Sequence, residues 1–175
     1  MRNIALALAV LALPPGSGPL LAQGDRSTIP RGTALGVTID RFGVASEFSL
    51  VAATFHASAL HPGSLSPEFA ISLFPQALPA AVFTNIDVGA ALNISLPHAV
   101  LLLRGGATGI FAFGSSGAAA LPGAHYGASL LIRFAEKSGF RFDVIRHVYF
   151  DLYDYAATAP VLTIGIGITS LPGRR

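Results

Sequence analysis

Large aliphatic residues return at every second position through most of this chain. The pattern is clearest near the end, where Leu162, Ile164, Ile166 and Ile168 fall on one face. Thr163, Gly165, Gly167 and Thr169 fall on the other. Period-two alternation marks a β-strand, because successive side chains point to opposite faces. A soluble strand usually carries charges on its wet face. Here that face is small and nearly neutral, and the aliphatic face is suited to lipid.

Read in the same way, the rest of the sequence predicts eight strands, over 33–42, 47–57, 68–74, 82–96, 99–113, 125–134, 140–150 and 161–171. Between them lie clusters of turn residues. His61 to Pro67 reads as a polar connection, Gly114 to Gly123 as a loop rich in Gly, Ser and Ala, and Glu136 to Gly139 as a short hairpin turn. An even strand count brings both chain ends to one side. Two aromatic rims are also expected, because membrane barrels carry girdles at both interfaces. Phe42, Phe48, Phe74, Phe83, Phe111, Phe113, Tyr126, Tyr149 and Phe150 fall near one set of strand ends. Phe55, Phe69, Phe134, Phe140 and Phe142 fall near the other.

Composition then decides what kind of sheet this is. Among 175 residues, 52% are hydrophobic and only 11% are charged, against roughly 25% charged in an ordinary soluble domain. Mean hydropathy is +0.62. A helical membrane protein would show apolar runs of about 20 residues, and outside the N-terminus none is present. High apolarity spread over alternate positions predicts an all-β fold, a closed antiparallel up-and-down transmembrane β-barrel of about eight strands. The alternatives are a secreted sandwich or a soluble periplasmic barrel that binds an apolar ligand. Net charge is +2 and no Lys/Arg run is present, so no nucleic-acid partner is expected. There is no cysteine, which excludes disulfides and thiolate metal sites.

The first residues read as an address. Arg2, the apolar run Ile4 to Leu13, the breakers Pro14, Pro15, Gly16 and Gly18, and the small Ala22 predict a signal peptide over 1–22. A leader over 23–31, the barrel over 32–171 and a tail over 172–175 complete the expected organisation. Export to the bacterial outer membrane follows, with outer-membrane lipid and the barrel-assembly machinery as partners.

The segments GFRFDVIRHVYFDL and LTIGIGITSL, with the mature chain around them, resemble the small outer-membrane barrels of the OmpA/OmpX type. That resemblance implies an eight-stranded barrel and a mixed range of functions. One departure is the end, Leu171-Pro172-Gly173-Arg174-Arg175. Such proteins commonly finish on an aromatic residue, so the assembly signal here is expected to be internal or atypical.

Candidate chemistry sits on the inner face. Side chains fill an eight-stranded barrel, so charges turned inward must pair. Parity assigns Asp40, Asp87, Arg104, Arg133, Arg141 and Asp143 to a lumen ion-pair network. Arg146-His147 breaks the pattern: strict alternation turns Arg146 to lipid unless a bulge near Ile145 changes the parity. His147 is a weak catalytic candidate. Lipid A deacylases are eight-stranded barrels with a His-x-Ser pair, but the position after His147-Val148 holds Tyr149. The remaining histidines show no metal-ligand spacing, and neither metal nor cofactor is expected. Tyr153, Asp154 and Tyr155 make the loop over 151–160 the expected contact surface. The leading function is structural, adhesive or loop-mediated binding without catalysis. A lipid A deacylase-like hydrolase using His147 is the alternative.

Overall fold

In the computed structural model, the residues described are 31–44, 49–78, 81–115, 117–151, 156–157 and 160–172. The expected signal peptide over 1–22, most of the leader and tail, and Tyr153, Asp154 and Tyr155 lie outside them. Eight long strands form: β1 (Gly32–Phe42), β2 (Leu50–Leu60), β3 (Leu65–Leu73), β4 (Ala81–Ser95), β5 (Ala99–Gly114), β6 (Gly117–Ala135), β7 (Ser138–Asp151) and β8 (Val161–Ser170). A single 3₁₀ turn, Pro75–Ala77, follows β3. Ala156–Ala157 add a short ladder to the end of β7.

Each strand pairs antiparallel with its sequence neighbours, and β8 pairs with both β7 and β1. The ring is therefore closed, although Gly117 to Pro122 of β6 rise above β7 and pair with β5 alone. At the closing seam Asp40 stands opposite Gly165, and Thr38 opposite Gly167. The start of β1 and the end of β8 lie at one end of the ring, here the turn end, with the connections 61–64, 96–98 and 136–137. The other connections gather at the loop end.

The wall is inside out. Val37, Ile39, Leu73, Val88, Val144, Ile164, Ile166 and Ile168 are exposed, whereas Asp40, His56, Asn85, Asp87, Arg141, Asp143 and His147 are buried. Bare aliphatic walls around a charged interior are unstable in water and stable in a bilayer. The fold is thus a closed transmembrane β-barrel. Alternation persists through β7 with no register shift near Ile145. Arg146 therefore points outward and His147 inward. Arg146 pairs with Tyr126 and Leu162 close to the loop end, where a long side chain can lift its charge towards headgroups.

Three expectations are corrected. The stretch over 114–123 is not a loop: β5 and β6 continue as a ladder from Ala107↔Ala124 up to Gly114↔Gly117. Its alanines have low strand propensity, but pairing with the aromatic end of β5 holds them extended. The connection over 61–67 is shorter than expected, because β3 starts at Leu65. Pro67 is tolerated there because the β2–β3 ladder stops at Ser58↔Glu68. Gly63 takes φ +72° in the turn, and Asn93 ties the turn down by donating to Ser66 Oγ at 2.8 Å. Finally, the loop-end rim is thinner than expected. Among the described residues Phe42, Phe74 and Tyr149 are buried inside, Phe83, Phe111 and Phe150 are half-buried, and Phe113 and Tyr126 are exposed, while Phe48 lies outside the described residues. At the turn end Phe55, Phe69, Phe134, Phe140 and Phe142 are all exposed.

Candidate functional site

Two apolar clusters close the barrel interior. Ala34, Leu60, Ala91, Val100, Leu102, Leu131 and Leu171 pack at the turn end. Phe42, Ala52 and Phe74, with Phe83 and Val161 against them, pack at the loop end. Between the two lies the polar interior, in two layers.

The central layer is built around Arg141, which is fully buried. Its guanidinium donates to Glu68 Oε1 at 2.8 Å, to both Asp143 oxygens at 3.0 Å, and to Ser58 and Ser129. Arg104 lies 3.2 Å from Glu68 Oε2 and 3.6 Å from Asp143 Oδ1. His56 Nε2 is hydrogen-bonded to Thr38 Oγ1 at 2.8 Å and lies 3.6 Å from Asp143 Oδ2. Burial removes these charges from water, and mutual attraction offsets that cost only where the geometry is good.

The second layer, nearer the loop end, centres on Asp87. Asn85 Nδ2 and Thr108 Oγ1 donate to Asp87 Oδ1. His147 Nε2 approaches Oδ2 at 3.2 Å, and His125 Nδ1 lies 3.8 Å from Oδ1. Thr163 Oγ1 is 3.3 Å from His147 Nδ1. Tyr149 donates to Asn85 Oδ1 at 3.0 Å. Phe42 stacks on the His147 ring with 5.3 Å between centroids. Thr163, His147 and Asp87 thus line up as hydroxyl, imidazole and carboxylate. All three are buried, and His147 has no exposed surface. A hydrolase needs its hydroxyl to reach substrate, and this one faces the filled lumen.

Of the six residues expected to face inward, Asp40, Asp87, Arg104, Arg141 and Asp143 are buried in these layers. Arg133 stands apart from them. It lies beyond the turn-end cluster, where its guanidinium donates to the carbonyls of Glu136 and Pro172. Sequence reasoning left out Glu68, although Phe69 and Ile71 on the outer face of its strand already gave the parity that turns it inward. It also treated His56 as scattered, because residues far apart in sequence meet only when the ring closes.

No family model matches the chain, and no curated protein does. Solved structures do. Ail of Yersinia pestis, solved in complex with the heparin analogue sucrose octasulfate, matches with TM-score 0.51 at 15% identity, over 80% of this chain and 96% of that one. The N-terminal β-barrel domain of Pseudomonas aeruginosa OprF matches with TM-score 0.55 at 11% identity, over 79% and 95%. Neisserial surface protein A matches with TM-score 0.54 at 6% identity, over 80% and 96%. At such identities the likeness is one of fold: this chain resembles the small eight-stranded outer-membrane barrels.

Proposed function

We propose that the protein is a non-enzymatic outer-membrane barrel, a rigid anchor that acts through its loop end in a structural, adhesive or binding role. The observation that carries this reading is the bare aliphatic wall around an interior packed with side chains. The wall requires lipid. The interior, closed by an apolar cluster at each end, leaves the outer loops as the surface free to meet partners. The loop over 151–160, with Tyr153, Asp154 and Tyr155, is the contact surface proposed from sequence. Export by the signal peptide over 1–22 and insertion by the barrel-assembly machinery belong to the same reading.

The hydrolase reading through His147 is the weaker one, since lipid chains meet the outer wall and the imidazole lies inside. A soluble barrel that binds an apolar ligand would place its apolar residues inside, the reverse of what is found.

The test is membrane fractionation followed by gel electrophoresis of unheated and heated samples. A folded barrel stays with the outer membrane and runs faster unless heated. A freely soluble protein with no heat shift would refute the proposal. Protease added to whole cells should cut within 151–160 and leave the strands intact.

A further inference from the structure

The central layer holds a group of side chains able to ligate a metal. Asp40, His56 and Asp143, all buried, each offer one ligand atom, and the three atoms lie within 4.8 Å of one another. They come from β1, β2 and β7, so no spacing in the sequence announces them. Two further observations point to a missing positive partner.

The first is an orphaned atom. Asp40 is 2% exposed, and its Oδ1 has no hydrogen-bond partner. That oxygen points into the gap left by Gly165, where an added Cβ would collide with it and would sit 3.4 Å from Asp143 Cβ. Gly165 pairs with Asp40 on one side and Asp143 on the other. The absent side chain therefore makes room for the Asp40 carboxylate beside Asp143. His56 Nδ1 is also without a hydrogen bond. A buried oxygen left so costs the full penalty of its desolvation.

The second is charge. Among the described residues, the buried carboxylates are Asp40, Glu68, Asp87 and Asp143, and the buried guanidiniums are Arg104 and Arg141. Glu68 and Asp143 are engaged by the two arginines, and Asp87 by His147 and His125. Asp40 has no cationic contact of this kind. The described interior thus holds four carboxylates against two guanidiniums, and Asp40 is the carboxylate beside which no cation lies.

The geometry points to a divalent-cation site held by Asp40, His56 and Asp143. Two carboxylate oxygens and one imidazole nitrogen suit a borderline ion such as Zn²⁺. Tetrahedral ligands about 2.1 Å from zinc stand about 3.4 Å apart. The His56 Nε2–Asp143 Oδ2 separation of 3.6 Å is already close to that. Arg141, bonded to Asp143, orients that carboxylate from behind, and Thr38 Oγ1, 2.8 Å from His56 Nε2, gives up this nitrogen when the metal binds. Because the site exists only in the closed ring, metal binding is coupled to folding.

The test refolds the tag-free chain into detergent micelles with Zn²⁺, passes it over a sizing column in chelator, and measures zinc per folded chain by mass spectrometry. Expected is about one Zn²⁺ per wild-type barrel and retention by an H61A/H98A variant, which lacks two histidines outside the barrel interior. D40N and H56A should lose zinc affinity at least tenfold, with the gel heat shift showing that they fold. Should either variant fail to fold, wild type alone decides. At a hundredfold excess over Kd, zinc should raise its folding constant about a hundredfold relative to chelator. A folded wild-type barrel without zinc overturns the site, as does an H56A barrel that keeps zinc or a folding midpoint unchanged by zinc.

Discussion

Arg141 and Glu68 stand on strands four places apart around an eight-stranded ring, and their side chains meet in its middle at 2.8 Å. The pair ties opposite walls together. Arg141→Met removes the guanidinium from between Glu68 and Asp143 and leaves Arg104 alone against both carboxylates in a dry interior. Breaking a buried pair in this way costs about 3–5 kcal/mol. Urea titration of the refolded barrel should show the loss. Glu68→Gln, which keeps an acceptor for Arg141, should cost less.

The outer wall gives a second prediction. Ile166 is 56% exposed on the lipid face, midway along β8. Ile166→Arg should cost about 2–4 kcal/mol in liposomes, the penalty at the bilayer midplane. Arg146 already lies on that face near the loop end, so Arg146→Leu should gain at most about 1 kcal/mol. Equal effects at the two positions would show that the wall does not face lipid.

Two neighbouring glycines should behave differently. A Cβ on Gly106 would run into the carbonyl of Val88, whereas one on Gly105 meets its nearest atom, His125 O, at 3.4 Å. Gly106→Ala should therefore lower stability by about 1–3 kcal/mol, as overpacking does, and reduce the heat-shifted fraction on gels. Gly105→Ala should leave both measurements near wild type.

His147→Ala separates the scaffold from the hydrolase. Asp87 Oδ2 loses its contact with the imidazole, so stability should fall by about 1–3 kcal/mol. Release of fatty acid from lipid A or phospholipid should be unchanged and at background for both proteins. Wild-type hydrolysis that the substitution abolishes would reverse the proposed function.

Much of the wall was legible because a barrel strand writes its two environments into alternate letters. Leu162 to Thr169 needed nothing more, whereas Arg146 and His147 stayed open to a bulge near Ile145 that the ladders do not contain. Parity says nothing of height along the strand, so Arg133 was grouped with Arg141 although it stands at the rim. Composition misled at Gly117 to Leu121, where small residues suggested a loop and pairing with β5 made a strand. The polar interior was the least legible part. His56, His125 and His147 lie on three strands, and their relation depends on a stagger between strands that no single stretch of sequence carries.

The closing seam has a consequence for the dimensions of the whole ring. Inward positions of β1 and β8 alternate in bulk: Gly36 faces Thr169, Thr38 faces Gly167, and Asp40 faces Gly165. Sliding β8 by one pleat in one direction would set Thr38 against Thr169. Sliding it the other way would press Asp40 on Thr163 and leave Gly36 facing Gly167 with nothing between. In a closed barrel, stagger, tilt and diameter are linked, so the last pairing to form measures the circumference. A few small-to-large matches act as a gauge, and only a cylinder of one girth passes it.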